Sequence, residues 1–285
     1  MQALLDQHWL IDAEAVTVLH GGMNSQTWKV TSRTDRWVLK LVPPHTPPGF
    51  RAGLFAAAAL DAAGLPSGGP VSTRDNQLAI QLPQGTAALL TWVEGTALSD
   101  LPGDVEQIGR TLATAHSVLQ QVAIPDAPAF DWIDCDAAHL DVESWVRPAV
   151  IEAVRDWQDK RSAVSTWGFL HGDPAPGAFL HDPETNTCGI IDWASGVHGP
   201  LLYDLASAAM YLGWRATPAL VEAYASLGTV PRIEIEYGLS TLHRYRSAVQ
   251  ADYFARRLHC NDLTGIDDPA DNQEGLDDAR AMLGV

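Results

Sequence analysis

The sequence predicts an α+β fold in which a small β-rich lobe precedes a larger, mainly helical lobe. Short runs of β-branched and aromatic residues, separated by polar turns, fill the first hundred residues. Longer stretches with apolar residues at helical spacing follow a hinge at Glu94–Gly95. We therefore assign residues 1–94 to an N-terminal lobe, residues 95–260 to a C-terminal lobe and residues 261–285 to an acidic tail.

The N-terminal lobe is predicted to contain five strands and one helix. The strands are expected at Val16–His20, Thr27–Thr31, Trp37–Val42, Leu78–Leu82 and Ala88–Val93. The first three form a meander, since only short polar turns separate them. Between the third and fourth strands, the alanine-rich stretch Phe50–Ala63 favours a helix that ends at Gly64.

The C-terminal lobe is predicted to contain helices joined by short strands. The helices are expected at Asp104–Val122, Leu201–Leu212 and Arg232–Leu258, and the strands near Phe169–Leu170, Phe179–Leu180 and Gly189–Asp192. Asp104 is a suitable N-cap for the first helix. The tail, Asn261–Val285, carries seven acidic groups and one arginine, so we expect it to be weakly ordered or peripheral.

Charge and cysteine content exclude several classes of function. The formal net charge is −17 and the chain has only three lysines, so neither nucleic acid nor an anionic membrane is an expected partner. The net charge is −2 over residues 1–100 and −10 over residues 101–200. This asymmetry fits either a solvated surface or a field that attracts a cationic partner. Three widely spaced cysteines and the lack of a visible signal peptide predict a cytoplasmic protein.

Two short motifs are expected to carry the chemistry. His171-Gly172-Asp173 follows a short apolar run, and Asp192 ends a second such run nineteen residues after Asp173. Both aspartates are therefore expected at strand ends, facing a cleft. Two such carboxylates suit phosphoryl transfer, in which one orients the attacking hydroxyl and the other holds Mg²⁺. Alternatively, each aspartate is an ordinary turn residue.

Two features of the N-terminal lobe fit a nucleotide. The segment His20–Ser25 contains two adjacent glycines, whose backbone can approach phosphates closely, although the same pattern is common in hairpin turns. Lys40 lies among apolar residues of the third strand and shares a strand face with Val38. It either faces the nucleotide cleft or is exposed on the outer face of the sheet.

The order of these elements resembles that of the aminoglycoside phosphotransferase and choline kinase-like family. The resemblance runs from about residue 16 to about residue 250 and rests on the glycine turn, Lys40, His171-Gly172-Asp173, Ile191-Asp192-Trp193 and Asp204-Leu205-Ala206. It implies a bilobal protein-kinase-like fold. It also implies ATP-dependent transfer of the γ-phosphate to a hydroxyl of an aminoglycoside-like or other amine-bearing small molecule.

The resemblance implies a role for each matching position. Asp173 would be the catalytic base, His171 would brace its loop, and Asp192 would coordinate Mg²⁺. Lys40 would hold the α and β phosphates of ATP, and Asp204 would support the catalytic loop. The other nucleotide contacts would come from Gly22, Asn24 and Ser25 at the phosphates and from the backbone of Trp92, Val93 and Glu94 at the adenine.

Two positions depart from the family pattern. Ala178 stands where the family has an asparagine that binds a second metal ion, and residues 41–93 contain no glutamate to pair with Lys40. These departures motivate a second hypothesis, a degenerate kinase that binds nucleotide or a metabolite without transferring phosphate. A hydrolase that used both aspartates with a metal would leave Lys40 and the glycine turn unexplained.

An acidic segment before the catalytic motif bears on the acceptor. Residues 126–145 contain six carboxylates, no lysine or arginine, and the tryptophans Trp132 and Trp145. A cleft lined by such residues would suit a cationic or neutral, amine-bearing acceptor. The alternative is an acidic, solvated loop.

Overall fold

The strands of the first hundred residues form one antiparallel sheet. The computed structural model describes residues 1–19, 25–44, 49–131, 133–266 and 268–285. The sheet contains β1 (Ala15–Leu19), β2 (Gln26–Thr31), β3 (Arg36–Val42), β4 (Ile80–Leu82) and β5 (Gly85–Thr91), in the spatial order β1-β2-β3-β5-β4. In the chain, α1 (Gln2–Trp9) precedes the sheet, and α2 (Gly49–Ala62) lies between β3 and β4.

Alternation along β3 places Leu39 and Lys40 on opposite faces of the sheet. Leu39 packs with Leu5 and Trp9 of α1 on one face of the sheet. The next residue, Lys40, lies on the opposite face, where apolar sheet residues pack against Leu54 of α2. Only 6% of Lys40 is exposed. The alternative in which this lysine is exposed on the outside of the sheet is therefore wrong.

α2 lies directly on a turn of the C-terminal lobe. A Cβ atom on Gly53 would come within 2.0 Å of the carbonyl oxygen of Trp193, and one on Gly49 would come within 2.6 Å of that of Gly196. Glycine at these two positions therefore allows the helix to approach the turn this closely. This contact joins the two lobes beside Asp192.

The rest of the chain forms helices around two small sheets. The helices are α3 (Pro102–Leu119), α4 (Val146–Lys160), α5 (Leu202–Leu212), α6 (Thr217–Ala225), α7 (Arg232–Cys260) and α8 (Ala270–Leu283). One sheet contains β6 (Thr96–Ala97), β8 (Phe179–Asp182) and β9 (Thr187–Ile190), and the other pairs β7 (Trp167–Leu170) with β10 (Val197–Pro200). α7 packs against α4, α5 and α8, and α3 packs against α6. No helix within the described ranges is long and apolar enough to span a membrane.

Most of the observed elements match the predicted ones, but the start of α3 differs. The sequence does not predict α1, α4, α6, α8, β6 or β10, and it places the N-cap of α3 at Asp104. In the structure Leu101 is the N-cap and Pro102 lies at the start of the helix, where the missing N–H of proline costs nothing. The carboxylate of Asp104 instead accepts hydrogen bonds from the backbone N–H of Ser99 at 2.9 Å and from its hydroxyl at 2.6 Å.

The prediction of a weakly ordered or peripheral tail is wrong for Ala270–Leu283. Leu276 and Ala279 of α8 are fully buried, and the helix packs on α7. Arg257 of α7, which is 1% exposed, donates from Nε to Oδ1 of Asn272 at 2.7 Å. The acidic residues of α8 lie on its exposed side. The segment is therefore an amphipathic helix, although its high net charge is typical of a disordered tail.

Removing the buried leucine of α8 should destabilise the protein. We expect Leu276→Ala to lower the free energy of unfolding by about 2–5 kcal/mol, because the substitution leaves a cavity between α7 and α8. The exposed Glu274 provides the control, since Glu274→Ala should change stability by less than about 0.5 kcal/mol. Urea titration followed by circular dichroism measures both values. Equal stability of the two variants would contradict the packing of α8.

Candidate functional site

The backbone of the His171-Gly172-Asp173 motif is fixed at the end of β7. Gly172 has a φ of 88°, and a Cβ atom there would lie 2.2 Å from the carbonyl oxygen of Ser195, so both conformation and space require glycine. His171 is fully buried. Its Nε2 lies 2.8 Å from the carbonyl oxygen of Ile191, and its Nδ1 accepts from the N–H of Asp173 at 3.3 Å. These contacts fit the tautomer with hydrogen on Nε2, so the ring braces the loop.

Asp204 holds this loop from the first turn of α5. Its buried carboxylate accepts hydrogen bonds from the backbone N–H of His171 at 2.7 Å and of Gly172 at 2.9 Å. The same carboxylate lies 3.0 Å from Nε2 of His116, a buried residue of α3 whose Nδ1 lies 2.7 Å from the hydroxyl of Tyr224. Asp204 therefore joins the catalytic loop to two helices.

Asp173 is held through one of its two carboxylate oxygens. Oδ1 accepts hydrogen bonds from the hydroxyl of Tyr211 at 2.5 Å and from Nη2 of Arg246 at 2.9 Å. No hydrogen bond from the described part of the chain reaches Oδ2, and 48% of the side chain is exposed. No local sequence pattern marks Tyr211 and Arg246 as partners of Asp173, because they lie 38 and 73 residues from it.

Both partners of Asp173 keep their protons. Burial raises the pKa of the Tyr211 hydroxyl, and the charge of Asp173 raises it further, so the hydroxyl remains a donor. Burial acts to lower the pKa of Arg246, but the surrounding oxygens of Tyr203 and Asp173 outweigh it and raise that pKa. Arg246 is 6% exposed and also donates from Nε to the hydroxyl of Ser207 at 3.0 Å.

Lys40 from the N-terminal lobe meets Asp192 from the C-terminal lobe. Asp192 adopts a left-handed conformation, with a φ of 69°, and leads into the short 3₁₀ turn Trp193–Ser195. Its carboxylate forms an ion pair with Nζ of Lys40. Burial acts to raise the pKa of Asp192, but the charge of Lys40 and its hydrogen bond outweigh burial and lower that pKa. Asp192 is thus the partner of Lys40 in a chain whose α2 offers no glutamate.

The donor set beside Asp192 fits one divalent cation. Ala178 lies in the 3₁₀ turn Pro176–Ala178, and its carbonyl oxygen accepts the N–H of Ile191 at 2.8 Å. Its side chain offers no ligand. Within the described ranges, no three His, Cys, Asp or Glu side chains form a metal site by themselves. Because Mg²⁺ commonly binds one or two carboxylates together with substrate phosphates, the carboxylate of Asp192 fits a Mg²⁺ shared with a nucleotide.

The remaining nucleotide contacts stay predictions. Gly22 and Asn24 lie outside the described residues, and Ser25 is half-buried just before β2. Val93 is buried, and a Cβ atom on Gly189 would come within 2.7 Å of its Cγ1. The segment that follows β5 therefore rests directly on β9, at the junction of the two lobes.

The side chains on both sides of Val93 contact cations of the sheet. The ring of Trp92 has Nζ of Lys29 at 4.8 Å and Cζ of Arg36 at 5.6 Å from its centroid. Glu94 forms an ion pair with Arg36. These side chains are therefore engaged with each other, and a contact between the backbone of this segment and adenine stays a prediction.

The acidic segment of residues 126–145 has partners of its own. Asp141 forms an ion pair with Arg147 at 2.6 Å, and Glu143 accepts from the indole N–H of Trp145 at 2.6 Å. Trp132 lies outside the described residues. Where the chain is described, no hydrogen bond or ion pair joins this segment to Asp173. Its place in an acceptor site therefore stays a prediction.

Comparisons with known proteins identify the family and the fold of the chain. The model of the phosphotransferase enzyme family matches residues 15–235, whereas no curated protein matches the sequence. A microcompartment-associated aminopropanol kinase is 18% identical, with a TM-score of 0.73 over 99% of this chain and 94% of that one. A choline kinase from Streptococcus pneumoniae is 16% identical, with a TM-score of 0.72 over 99% and 97%. An amicoumacin kinase is 12% identical, with a TM-score of 0.73 over 99% and 91%. At these identities the likeness shows the fold, and it confirms the α+β, bilobal protein-kinase-like architecture.

Removing the carboxylate of Asp204 should destabilise the protein. We expect Asp204→Ala to cost about 3–5 kcal/mol, because it leaves the N–H groups of His171 and Gly172 and the ring of His116 without their buried acceptor. Asp12 is exposed and serves as the control, since Asp12→Ala should cost less than about 0.5 kcal/mol. Chemical denaturation measures both, and similar costs would show that Asp204 does not hold the loop.

The ion pair between Lys40 and Asp192 should stabilise the fold in a pH-dependent way. Because the pKa of Asp192 is lowered from 3.8 in the folded state, its contribution is fully present above that value and is lost as the pH falls through the lowered pKa. The stability difference between the wild type and Asp192→Asn should therefore shrink on acidification from pH 7 to about pH 3. Urea titrations at both pH values measure it, with Asp12→Asn as the control. A difference that did not change with pH would contradict the pairing.

Proposed function

Because the chain belongs to the phosphotransferase enzyme family, we propose that it is an ATP-dependent kinase that phosphorylates a hydroxyl of a small molecule. The proposal rests mainly on how the carboxylate of Asp173 is held and exposed. Its backbone is held by the loop that Asp204 organises, one carboxylate oxygen is engaged and the other is left for a substrate. A half-exposed carboxylate held in this way suits a group that accepts the proton of an attacking hydroxyl.

The other predicted site residues would bind different parts of the nucleotide and its metal ion. Lys40 would bind the phosphates of ATP, because it is a buried cation on the sheet face that meets the C-terminal lobe. Asp192 would hold Mg²⁺, which neutralises the charge that develops on the transferred phosphoryl group. Gly22, Asn24 and Ser25 would cover the phosphates, and the backbone of Trp92–Glu94 would contact the adenine.

An amine-bearing alcohol is the proposed class of acceptor. The segment of residues 101–200 carries a net charge of −10, which would attract a cation and would not repel a neutral molecule. Relatives of the same fold include kinases named for aminopropanol and choline, and the amicoumacin kinase was solved with AMP-PNP and Ca²⁺. These names support a nucleotide donor and a small hydroxylated amine as the acceptor.

A protein that binds nucleotide without transferring phosphate is the second candidate. Ala178 favours it, because this position supplies no side-chain ligand for a second cation. Binding of ATP with Mg²⁺, detected as a thermal shift, combined with no ATP consumption on any acceptor, would select this candidate over the kinase.

Replacing the proposed base should abolish turnover and spare nucleotide binding. With 1-amino-2-propanol, choline and an aminoglycoside as probes, ³¹P NMR should detect a phosphorylated product from the wild type. Asp173→Asn should lower kcat by about 10²–10⁴-fold, while the Kd for ATP changes by less than about twofold, because Asp173 contacts the acceptor and not the nucleotide. Asp12→Asn is the control. An undiminished rate for Asp173→Asn would exclude Asp173 as the base.

A further inference from the structure

Two side chains outside the sequence motifs hold the carboxylate of Asp173. Tyr211 from α5 and Arg246 from α7 both donate to Oδ1 of Asp173, and Arg246 also donates to the hydroxyl oxygen of Tyr211 at 3.0 Å. The three groups therefore form a closed triangle. We propose that Tyr211 and Arg246 are positioning residues that fix this carboxylate so that Oδ2 is presented to the acceptor hydroxyl. The proposal rests on the proposed kinase function.

The triangle is held rigidly by the packing of α5 against α7. Ser207 accepts the Nε–H of Arg246 at 3.0 Å and lies one helical turn before Tyr211, so both residues face the same side of α5. The guanidinium carbon also lies 5.5 Å from the centroid of the Tyr211 ring. Since Arg246 is 6% exposed, its donors are directed by fixed neighbours and not by solvent.

The catalytic loop itself provides no such restraint. The five residues after Asp173 are Pro174, Ala175, Pro176, Gly177 and Ala178, and none has a polar side chain. The terminal torsion of an aspartate is broad and roughly two-fold, so an unrestrained carboxylate would exchange its two oxygens. Two hydrogen bonds to one oxygen remove this freedom. The orientation of the Asp173 carboxylate is therefore set by side chains of α5 and α7 and not by the loop.

A fixed Oδ2 defines the proton transfer. As the acceptor oxygen bonds to the γ-phosphorus, its O–H bond breaks and the proton passes to Oδ2 of Asp173. The bond from the γ-phosphorus to the β–γ bridging oxygen breaks, and ADP leaves with that electron pair. Tyr211 and Arg246 touch neither substrate in this step, so their contribution acts through Asp173.

Conservative variants of the triangle should change kcat and leave binding unchanged. We expect Tyr211→Phe and Arg246→Lys each to lower kcat by about 10–100-fold, because the carboxylate is misplaced by a fraction of an ångström. A role through Asp173 alone should change the KM for the acceptor and the Kd for ATP by less than about threefold. Ser207→Ala, which removes only one contact of Arg246, should have a smaller effect in the same direction.

Matched control positions for both residues lie on α7. Arg244 lies two residues from Arg246 but forms ion pairs with Glu152 and Asp156, so Arg244→Met should leave kcat unchanged. Tyr237 is 67% exposed, and Tyr237→Phe should likewise have no effect. A loss of kcat in these controls equal to that in Tyr211→Phe would overturn a specific role for the triangle.

A double-variant cycle tests whether Tyr211 acts through Asp173. In the Asp173→Asn background, Tyr211→Phe should change the residual kcat by less than about twofold, because the acceptor of its hydrogen bond is already altered. The shift in melting temperature of the double variant should be smaller than the sum of the two single shifts. This second measurement needs no acceptor.

The two measurements separate the possible failures. Additive shifts in melting temperature, or an unchanged kcat in Tyr211→Phe of an active protein, would overturn the positioning role alone. If the shifts of the variants are non-additive but the wild type phosphorylates none of the three probes, the proposed function is overturned, and the positioning role with it. A selective loss of kcat with non-additive shifts would support both.

Discussion

The buried carboxylate of Asp204 is the constraint on which the site depends. A carboxylate only accepts hydrogen bonds, so its two oxygens can hold the N–H groups of His171 and Gly172 together with the ring of His116. Asp204 lies in the first turn of α5, where the helix dipole favours negative charge. The place of Asp173 follows from the fixed backbone of the two residues before it.

One face of α5 holds the loop that contains His171, Gly172 and Asp173. Asp204, Ser207 and Tyr211 follow each other at intervals of three and four residues and so lie on the same side of the helix. Asp204 holds the backbone of the loop, Ser207 holds Arg246, and Tyr211 holds Asp173. Because Arg246 arrives from α7, the packing between α5 and α7 is part of the site and not only part of the core.

Local patterns were sufficient to predict some of these residues and insufficient for others. Strand alternation placed Lys40 on the face opposite to Leu39 but left open whether that face meets the cleft, and the ends of short apolar runs marked Asp173 and Asp192. Tyr211 and Arg246 could not be found in this way, because their partner is 38 or 73 residues distant and a polar residue in a helix ordinarily faces solvent. α8 was missed for a different reason, since seven acidic groups in the last 25 residues outweighed its short apolar stripe.

The charges of the site balance in pairs. Lys40 pairs with Asp192 and Arg246 pairs with Asp173, so the four groups add no net charge in a chain that carries −17. The net negative field around the site is therefore set by the excess of carboxylates elsewhere in the chain. A nucleotide bound at Lys40 would bring phosphate charge to a pair that is already neutral, and Asp192 would then require a further cation. A divalent cation at Asp192, the aspartate that the sequence motif selects, would restore the balance of charge.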